Sequence, residues 1–468
     1  MAQLPPKLVP VRLRPLLDQA MELAELFEAR NHRLYLVGGA VRDLFVDVDA
    51  SPDGMDLDFT TDALPDETED ILRPWADSVW DQGKRFGTVG AIHSGRRMEI
   101  TTHRAEVYPS DTRKPDVRYS TDVEEDLARR DFTVNAMALS LPTPTLVDPF
   151  GGMADLAAKR LRTPLGPEVS FSEDPLRMMR AARFLSRYDL TPDPSILQAI
   201  ATMRERLAIV SAERIRDELD KLLVAPSPEA GLWFLVNTGL ASQFLPELPA
   251  LELEQDPIHR HKDVLAHTIA VVGKTRPERL VRLAALFHDV GKPKTRAFGP
   301  GGVTFHHHDV VGARMTRERM RALRYPEQDI EAVSRLVELH LRFHTYRLGW
   351  TDRAVRRYVR DAAGDVERLN ELTRCDSTTR NQAKAAALSR RLDELEARIL
   401  ELSERESLDA MRPELDGNQV MGILGIAPGP TVGAALGFLM ELRLDEGLLG
   451  EEEAIRRLQL WHEERKGS

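Results

Sequence analysis

The chain is poor in the features that define several classes of protein. Its 468 residues include one cysteine, Cys375, which excludes an intrachain disulfide and is typical of a protein of the reducing cytoplasm. No apolar run approaches the ~20 residues of a membrane span. The first twenty residues lack the apolar core of a secretory signal peptide. Internal repeats and low-complexity tracts are also lacking. Because 42% of residues are hydrophobic and 30% charged, we expect a globular cytoplasmic protein without membrane association.

The net charge of −11 is concentrated in one segment. Residues 44–82 hold twelve acids and one base, so the rest of the chain is balanced. A negative total usually argues against nucleic-acid binding. Here the local excess leaves room for basic surfaces elsewhere.

The pattern of apolar residues predicts an α+β protein. Short apolar runs alternate with turns over residues 31–150, whereas helical spacing dominates from about 151 onward. The expected helices are 174–188, 211–224, 263–275, 278–290, 309–323 and 329–342, with a long charged one at 380–405. The PGPTVG stretch at 428–433 is expected to break the last part before closing helices at 434–446 and 449–465. The expected domains are a leading helix (1–30), an α/β head (31–150), a helical neck and body (151–250), a histidine-rich domain (251–380) and a helical tail (381–468).

Acidic residues on short strands form the first candidate site. Asp56 and Asp58 lie two residues apart on a predicted strand, so both carboxylates point to one side, and Glu99 can add a third. Oxygen ligands of this kind suit Mg²⁺, and such ions serve phosphoryl or nucleotidyl transfer. Gly38 and Gly39 let backbone amides approach a phosphate that Arg42 can also bind. The alternative is a solvated strand edge.

A row of arginines marks the second candidate site. Arg177, Arg180, Arg183 and Arg187 fall on one face of the helix predicted at 174–188, and most of its apolar residues fall opposite. Asp174 and Arg177 together can complement the hydrogen-bonding edge of cytosine or adenine. The alternative is a solvated face with local ion pairs.

Nine of the thirteen histidines lie between residues 259 and 344, and they form the third candidate site. Neutral imidazoles with carboxylates suit Ni²⁺, Mn²⁺, Fe²⁺ or Zn²⁺. A single histidine on a helix is more often a satisfied core or surface residue.

Six motifs in order carry a resemblance to a known family. The strings GGAVRD, DLD, EITTHR, RRDFTVNAMAL, EDPLRMMRAARF and ERIRDEL cover about residues 34–222. They resemble the class II tRNA nucleotidyltransferase (CCA-adding enzyme) and poly(A) polymerase family, which belongs to the polymerase beta superfamily. The sixteen residues between Gly39 and Asp56 are more than expected, and the excess at 46–54 is interpreted as a surface loop. The tail segment 415–436 resembles these enzymes too.

The resemblance implies a role for each matching residue. Asp56 and Asp58 would bind Mg²⁺, and Glu99 would help to activate the RNA 3′-hydroxyl. Asn135 would contact the sugar, and Glu213, Arg214 and Glu218 would brace the arginine helix. Residues 110–120 resemble the loop that helps the switch from adding C to adding A. The expected nucleotide-binding residues are Gly38, Gly39, Arg42, Arg130, Asp131, Asn135, Asp174, Arg177, Arg180 and Arg183.

The histidine-rich region resembles the HD phosphohydrolase domain, most specifically in the HDVGKP segment at 288–293. His308 is chosen from the run 306–308 because of its HDVVGA context. The resemblance implies that divalent or transition-metal ions are held by His267, His288, Asp289, His308, His340 and Asp376. Such a site could hydrolyse phosphoesters.

The function expected from these motifs is template-independent addition of CCA to tRNA from CTP and ATP, with Mg²⁺. No stable protein partner is implied. The alternatives are a poly(A) polymerase, a CC-adding partner in a split pathway, a metal phosphohydrolase with a vestigial transferase half, and a non-catalytic RNA-binding protein.

Overall fold

The computed structural model describes residues 2–3, 14–46, 57–107, 116–253, 263–299, 302–345, 349–377, 382–406, 408 and 411–466. The chain divides into two compact units, Met1–Phe244 and Leu245–Ser468. In the described ranges, no helix combines the length and the apolar character needed to cross a bilayer.

Among the described residues, the strands of five or more residues lie in the first unit. Its strands are β1 (Ala2–Gln3), β2 (Leu34–Val37), β3 (Leu57–Thr61), β4 (Ser78–Trp80), β5 (Thr88–His93), β6 (Arg96–Thr102), β7 (Arg104–Val107), β8 (Asp116–Tyr119), β9 (Ala138–Leu141), β10 (Thr145–Val147), β11 (Arg160–Leu161) and β12 (Thr191–Pro192).

The helices of the first unit lie between its strands and continue after the last of them. They are α1 (Arg14–Glu28), α2 (Gly39–Asp43), α3 (Pro65–Leu72), α4 (Val123–Ala128), α5 (Gly152–Ala157), α6 (Pro167–Glu173), α7 (Leu176–Tyr188), α8 (Pro194–Met203), α9 (Ala212–Leu223), α10 (Pro228–Asn237) and α11 (Ala241–Phe244). Short 3₁₀ turns lie at Lys84–Phe86, Thr133–Asn135 and Arg204–Ile209.

Eight strands form one mixed sheet in the order β1-β10-β9-β2-β3-β6-β5-β4. The central pair β3 and β6 is parallel, and the neighbouring pairs are antiparallel. Apolar side chains of α1, among them Leu23 and Phe27, are fully buried in the core against this sheet. The strand that carries Asp58 is therefore held in the middle of the sheet.

The arginine-bearing helix is amphipathic as its sequence predicts. The side chains of Met178, Met179, Ala181 and Phe184 are buried. The arginines between them are only partly exposed, because α9 and the Arg129–Asn135 segment lie against their face. The helix begins at Leu176 rather than at 174, because Asp174 has extended backbone and its Oδ1 accepts a hydrogen bond from the Leu176 N–H.

The second unit is almost entirely helical. It contains a 3₁₀ turn at Pro249–Leu251, α12 (Val264–Lys274), α13 (Arg279–Phe287), α14 (Lys292–Thr295), β13 (Arg296–Gly299), β14 (Gly302–Phe305), α15 (His308–Ala322), α16 (Glu327–Leu339), α17 (Arg342–Thr345), α18 (Asp352–Ala362), α19 (Val366–Asp376), α20 (Gln382–Glu406), α21 (Gly417–Leu424), α22 (Pro430–Glu446) and α23 (Glu451–Lys466).

The α+β architecture, with an α/β head followed by helices, is confirmed. The break predicted at 428–433 is present, but it ends earlier than predicted. Helix α21 ends at Leu424 and α22 begins at Pro430, where a missing N–H costs nothing, so residues 430–433 form the first turn of α22. Most of the 46–54 insertion and of the 110–120 loop lies outside the described residues.

A buried histidine predicts a pH-dependent stability of the first unit. His103 is fully buried, and its Nδ1 lies 2.7 Å from Thr60 Oγ1. Burial lowers the pKa of His103 from 6.5 to about 4, although the carboxylates of Asp126 and Asp62 oppose the shift. The unfolded chain therefore takes up a proton between about pH 6.5 and pH 4 that the folded chain does not. Stability is lost as pH falls through this window.

We expect this histidine to cost the native state about 2 to 3 kcal/mol at pH 4.5 relative to pH 7. The measurement is the free energy of unfolding of the wild type and of His103→Asn at both pH values. The asparagine can keep the hydrogen bond to Thr60 but does not titrate, so the variant should lose less stability than the wild type. An offset between the two proteins that does not change with pH would contradict the assignment.

Candidate functional site

The acidic strand residues lie beside each other on one face of the central sheet. Asp58 on β3 is in register with Glu99 on β6, and paired residues of neighbouring parallel strands point to the same side about 4.8 Å apart. Leu57 and Phe59 are buried on the other face, while Asp58 is exposed. Asp56 lies outside the described residues. The two described carboxylates thus face solvent side by side.

A glycine turn lies next to Asp58 and to the guanidinium of Arg130. Gly38 has φ +72°, a left-handed conformation that favours glycine, and it leads from β2 into α2. A Cβ atom at Gly38 would lie 3.1 Å from Arg130 Nη1 and 3.8 Å from Asp58 Oδ2. Any side chain at this position would therefore crowd both groups. Arg130 also pairs with the buried Asp126 at 3.3 Å.

Arg42 is buried on α2, just after the Gly38 turn. Its side chain is only 6% exposed, and its Nε donates to Asp43 Oδ1 at 2.8 Å. Its Nη1 donates to Asn135 Oδ1 at 2.5 Å. The guanidinium also lies 4.1 Å from the centre of the Tyr188 ring, at the end of α7. Arg42 thus links the glycine turn to the arginine helix.

A chain of polar contacts continues from Asn135 to the arginine helix. Asn135 Nδ2 donates to Asp131 Oδ1 at 3.0 Å, and Arg180 Nε donates to Asp131 Oδ2 at 2.9 Å. Arg180 and Arg183 both approach Glu218 on α9, at 3.5 and 3.3 Å. The structure therefore joins residues from four predicted motifs in one network.

The electrostatics of the network favour ionised pairs. Burial alone would raise the pKa of Asp131, but the charge of Arg180 and the hydrogen bond from Asn135 lower it below its usual range. The charge of Asp131 in turn raises the pKa of Arg180. Burial and the neighbouring Arg180 lower the pKa of Arg183, against the effect of Glu218. These arginines are positioned and charged, as triphosphate binding requires.

The two residues expected to recognise the base are held separately. Arg177 Nη1 donates to Ser170 Oγ and Glu173 Oε2, both at 3.0 Å, and its Nη2 donates to the Arg129 carbonyl. Asp174 Oδ2 accepts from Arg214 Nη2 at 2.7 Å. Both side chains are thus fixed at the start of α7 by groups outside the Asp131 network.

Sequence reasoning missed three residues of this region. Asp126 is buried and pairs with both Arg129 and Arg130, and Tyr188 stacks on Arg42. The third, Arg129, contributes its backbone carbonyl to Arg177. Tyr188 lies four residues after Phe184, and this helical spacing could have placed it on the same side of α7.

The second unit brings all six predicted metal ligands together. His267, His288 and Asp376 offer ligand atoms within 4.8 Å of one another, and so do Asp289, His308 and His340. The two triads adjoin, because Asp289 Oδ2 lies 3.3 Å from His288 Nε2 and Asp289 Oδ1 lies 3.5 Å from His308 Nε2. The neighbouring His306 and His307 are exposed.

Backbone carbonyls fix the orientation of three of these imidazoles. The Nδ1 atoms of His288, His308 and His340 lie 2.6–2.8 Å from the carbonyls of Ala285, Phe305 and Val337. Each Nδ1 therefore carries a proton and donates it to a carbonyl, so Nε2 is the nitrogen that faces the cluster. Among the described residues, the buried Nε2 atoms of His288 and His308 have no hydrogen-bond partner. This is the arrangement that a metal ion would complete.

The charges in the cluster are strongly coupled. Burial would lower the pKa of His288, but Asp289 and Asp376 outweigh burial and raise it. Burial and the charge of His288 lower the pKa of His340 to about 4. Lys292 Nζ also lies 2.6 Å from Asp289 Oδ2, a contact that the HDVGKP string did not predict. The carboxylates of the cluster therefore stabilise positive charge on His288 and on Lys292.

Comparison with known proteins assigns the parts of the chain. The model of the Poly A polymerase head domain matches residues 34–162. The model described as the probable RNA and SrmB-binding site of polymerase A matches residues 189–251, and the HD domain model matches residues 264–405.

Individual relatives agree with these models. An A-adding tRNA nucleotidyltransferase of Deinococcus radiodurans is 36% identical over 360 residues, which are 74% of this chain and 81% of that protein. A CCA-adding enzyme of Geobacillus stearothermophilus is 38% identical over 241 residues, which are 51% of this chain and 57% of that protein. The chain thus spans little more than half the length of this CCA-adding relative.

A solved structure extends the similarity over the whole chain. The crystal structure of the Bacillus stearothermophilus CCA-adding enzyme in complex with CTP matches with a TM-score of 0.69 and 26% identity, covering 97% of this chain and 99% of that one. Fold and site therefore define a nucleotidyltransferase of the poly(A) polymerase head type that carries an HD domain. The chain belongs to the class II tRNA nucleotidyltransferase and poly(A) polymerase family and is an enzyme. The family predicted from the motifs is confirmed.

Proposed function

We propose that the protein adds C, C and A to the 3′ end of tRNA, with CTP and ATP as substrates and without a nucleic-acid template. The observation that carries the proposal is the register of Asp58 with Glu99, beside the Gly38 turn and Arg130. The tRNA substrate and the single cysteine are those of a cytoplasmic enzyme.

The carboxylates of this face fit Mg²⁺, because in-register oxygen ligands on one side of a sheet suit a hard cation. Asp58 would hold the ion together with Asp56. When bound, Mg²⁺ would neutralise charge on the triphosphate and on the leaving pyrophosphate.

The side chains of the chain itself position the reaction. The RNA 3′-hydroxyl attacks the α-phosphorus, the α–β phosphoanhydride bond breaks, and pyrophosphate leaves. Glu99 accepts the proton of the attacking hydroxyl. Arg42, Arg130 and Arg180 bind triphosphate oxygens, and their buried carboxylate partners keep them oriented before the nucleotide arrives.

Base selection in this proposal lies at the start of α7. Asp174 and Arg177 present an acceptor and donors to the edge of cytosine or adenine. Their contacts with Arg214 and Glu173 limit the rotamers available to them. Adenine is thereby distinguished from guanine, and cytosine from uracil, because the wrong base leaves polar groups unpaired.

A specific observation favours a second candidate, addition of the terminal A alone. The Deinococcus radiodurans relative, which matches this chain over 81% of its own length, is an A-adding enzyme. Because the transfer motifs are shared, the carboxylates and the arginine network do not separate the two activities.

The test is extension of tRNAs that end before C74, after C74 and after C75, with CTP or ATP singly, read at single-nucleotide resolution. A CCA-adding enzyme should extend the first two with CTP and the third with one A. Addition of A to the third tRNA, without any use of CTP, would show the A-adding activity. Long tails made from ATP would show a poly(A) polymerase, and no extension of any tRNA would exclude both candidates.

We propose a second activity, hydrolysis of phosphoesters, for the two triads of the second unit. We call them together the HD cluster, which consists of His267, His288, Asp289, His308, His340 and Asp376. Its two triads offer places for two divalent ions, and Asp289 of the second triad also adjoins His288 of the first. Histidine nitrogens with carboxylates fit Ni²⁺, Mn²⁺, Fe²⁺ or Zn²⁺. When bound, such ions would polarise the phosphoester and lower the pKa of water. The Nε2 atoms of His288 and His308 support this proposal, because they face Asp289 at 3.3 and 3.5 Å without a hydrogen bond.

A further inference from the structure

A β-hairpin lies between Asp289 and His308, two neighbouring residues of the HD cluster. Strands β13 and β14 follow Asp289 and precede His308, and they pair antiparallel with Arg296 opposite Phe305 and Phe298 opposite Val303. Directly opposite residues share a face, and so do residues two apart on one strand. Arg296, Phe298, Val303 and Phe305 therefore line a single face of the hairpin.

This face carries an exposed aromatic ring with a cation beside it. The Phe298 side chain is 73% exposed, the highest value for a large hydrophobic residue among those described. The Arg296 guanidinium lies 4.8 Å from the centre of the Phe298 ring. One side of the ring is thus in contact with a cation, and most of its surface faces solvent. Aromatic rings with neighbouring arginines are surfaces on which nucleic-acid bases stack.

Lys292 connects the same face to the HD cluster. Its Nζ lies 2.6 Å from Asp289 Oδ2 and 5.7 Å from the centre of the Phe305 ring. The Phe305 carbonyl is also the group that orients His308. Phe298 lies only two residues further out along the hairpin, which is roughly 7 Å. The face therefore begins at the cluster and leads away from it.

We propose that this face binds the base of a nucleotide whose phosphoester lies at the HD cluster. The inference rests on the proposed hydrolase activity and names its substrate class, which is a nucleoside phosphate. The base stacks on Phe298, Lys292 and Arg296 attract the phosphate, and Phe305 supports the hairpin end nearest to the cluster. The nucleotide can be free or can be the 3′-phosphorylated end of an RNA.

The test compares substrates that share a phosphomonoester but differ in the base. Adenosine 3′-monophosphate carries a base, and β-glycerophosphate does not. Phe298→Ala should raise the ratio of their KM values (nucleotide over glycerophosphate) about tenfold, the size of one lost base stack. Phe298→Trp should restore the ratio. The matched control is Thr304→Ala, which changes a residue on the opposite face of the hairpin and should leave the ratio as in the wild type.

Other outcomes separate this inference from the hydrolase proposal. A ratio of KM values that does not change in Phe298→Ala would overturn the role of the hairpin and leave the hydrolase activity standing. A 3′-phosphorylated oligoribonucleotide tested in parallel shows whether an RNA end is preferred to the free nucleotide. If the wild type hydrolyses neither monoester with any of the four metals, the hydrolase proposal fails.

In that case the hairpin is tested by crosslinking. An oligoribonucleotide ending in 4-thiouridine 3′-phosphate is irradiated with the full-length protein, and the adducts are mapped by mass spectrometry. An adduct in the peptide 296–305 that is lost in Phe298→Ala would support base binding at the hairpin. Adducts found only in other peptides would overturn it.

Discussion

Replacing Asp58 by asparagine should lower the rate of nucleotide incorporation by roughly a thousandfold or more. The substitution keeps the shape of the side chain but removes the negative charge that would hold Mg²⁺ opposite the triphosphate. Asp58 is exposed, while its neighbours Leu57 and Phe59 are buried, so the sheet should keep its stability within about 0.5 kcal/mol. The measurement is single-turnover extension of a tRNA that lacks its 3′ terminus.

The matched control for this variant is Asp70→Asn. Asp70 is an exposed aspartate on α3 of the same unit, so the control changes the net charge equally and away from the proposed site. Both proteins should unfold at the temperature of the wild type. Incorporation by Asp58→Asn within tenfold of the Asp70→Asn rate would exclude Asp58 as a metal ligand.

The location of the candidate site could be predicted because its signals are local. The two-residue spacing of carboxylates on a strand, the glycine pair before a helix and the apolar face of α7 each depend on a few neighbouring residues. Local spacing is also what determines side-chain direction in helices and strands. Predictions of this kind placed Asp58, Glu99 and Arg180 in elements where the structure also has them.

The partners of the arginines could not be predicted in the same way. Arg180 meets Asp131, which lies 49 residues earlier, and Arg183 meets Glu218, which lies 35 residues later. These pairs depend on how α7 packs against α9 and the Thr133–Asn135 turn, and one sequence contains no signal for that packing. In the predicted row, Arg177, Arg180 and Arg183 are therefore partly buried and paired with acidic side chains, whereas Arg187 at the end of α7 is exposed.

For the HD cluster too, the sequence predicted which residues form the site but not how they come together. The order of its histidines and aspartates indicated a metal site, and their convergence depends on the packing of α12, α13, α15, α16 and α19. The carbonyls that orient the imidazoles have local origins, because each histidine lies three residues after its acceptor. His288 and His340 follow the ends of α13 and α16, whereas His308 follows the turn between β14 and α15. The contact of Lys292 with Asp289 and the face of the hairpin appear only in three dimensions.

Replacing Asp289 by asparagine should abolish phosphoester hydrolysis, with a loss of more than about a hundredfold. Asp289 belongs to one triad and also lies 3.3 Å from His288 of the other, so its charge contributes to both proposed ion positions. The bound metal should fall from about two ions per chain to one or none. It is measured by elemental analysis after equilibration with a limiting concentration of metal. The exposed His306 provides the control, as His306→Ala, which should keep both the metal and the activity.

Nucleotide addition by the same preparation of Asp289→Asn decides how this result is interpreted. Removal of one partner from a buried charge cluster can cost several kcal/mol, so a loss of hydrolysis alone could reflect unfolding of the second unit. Far-UV circular dichroism and the rate of tRNA extension address this directly. A folded variant that adds nucleotides at the wild-type rate but has lost the metal of the HD cluster would establish two separate sites, and Asp58→Asn should show the reverse pattern. Full metal content in Asp289→Asn would exclude the proposed position of the ions.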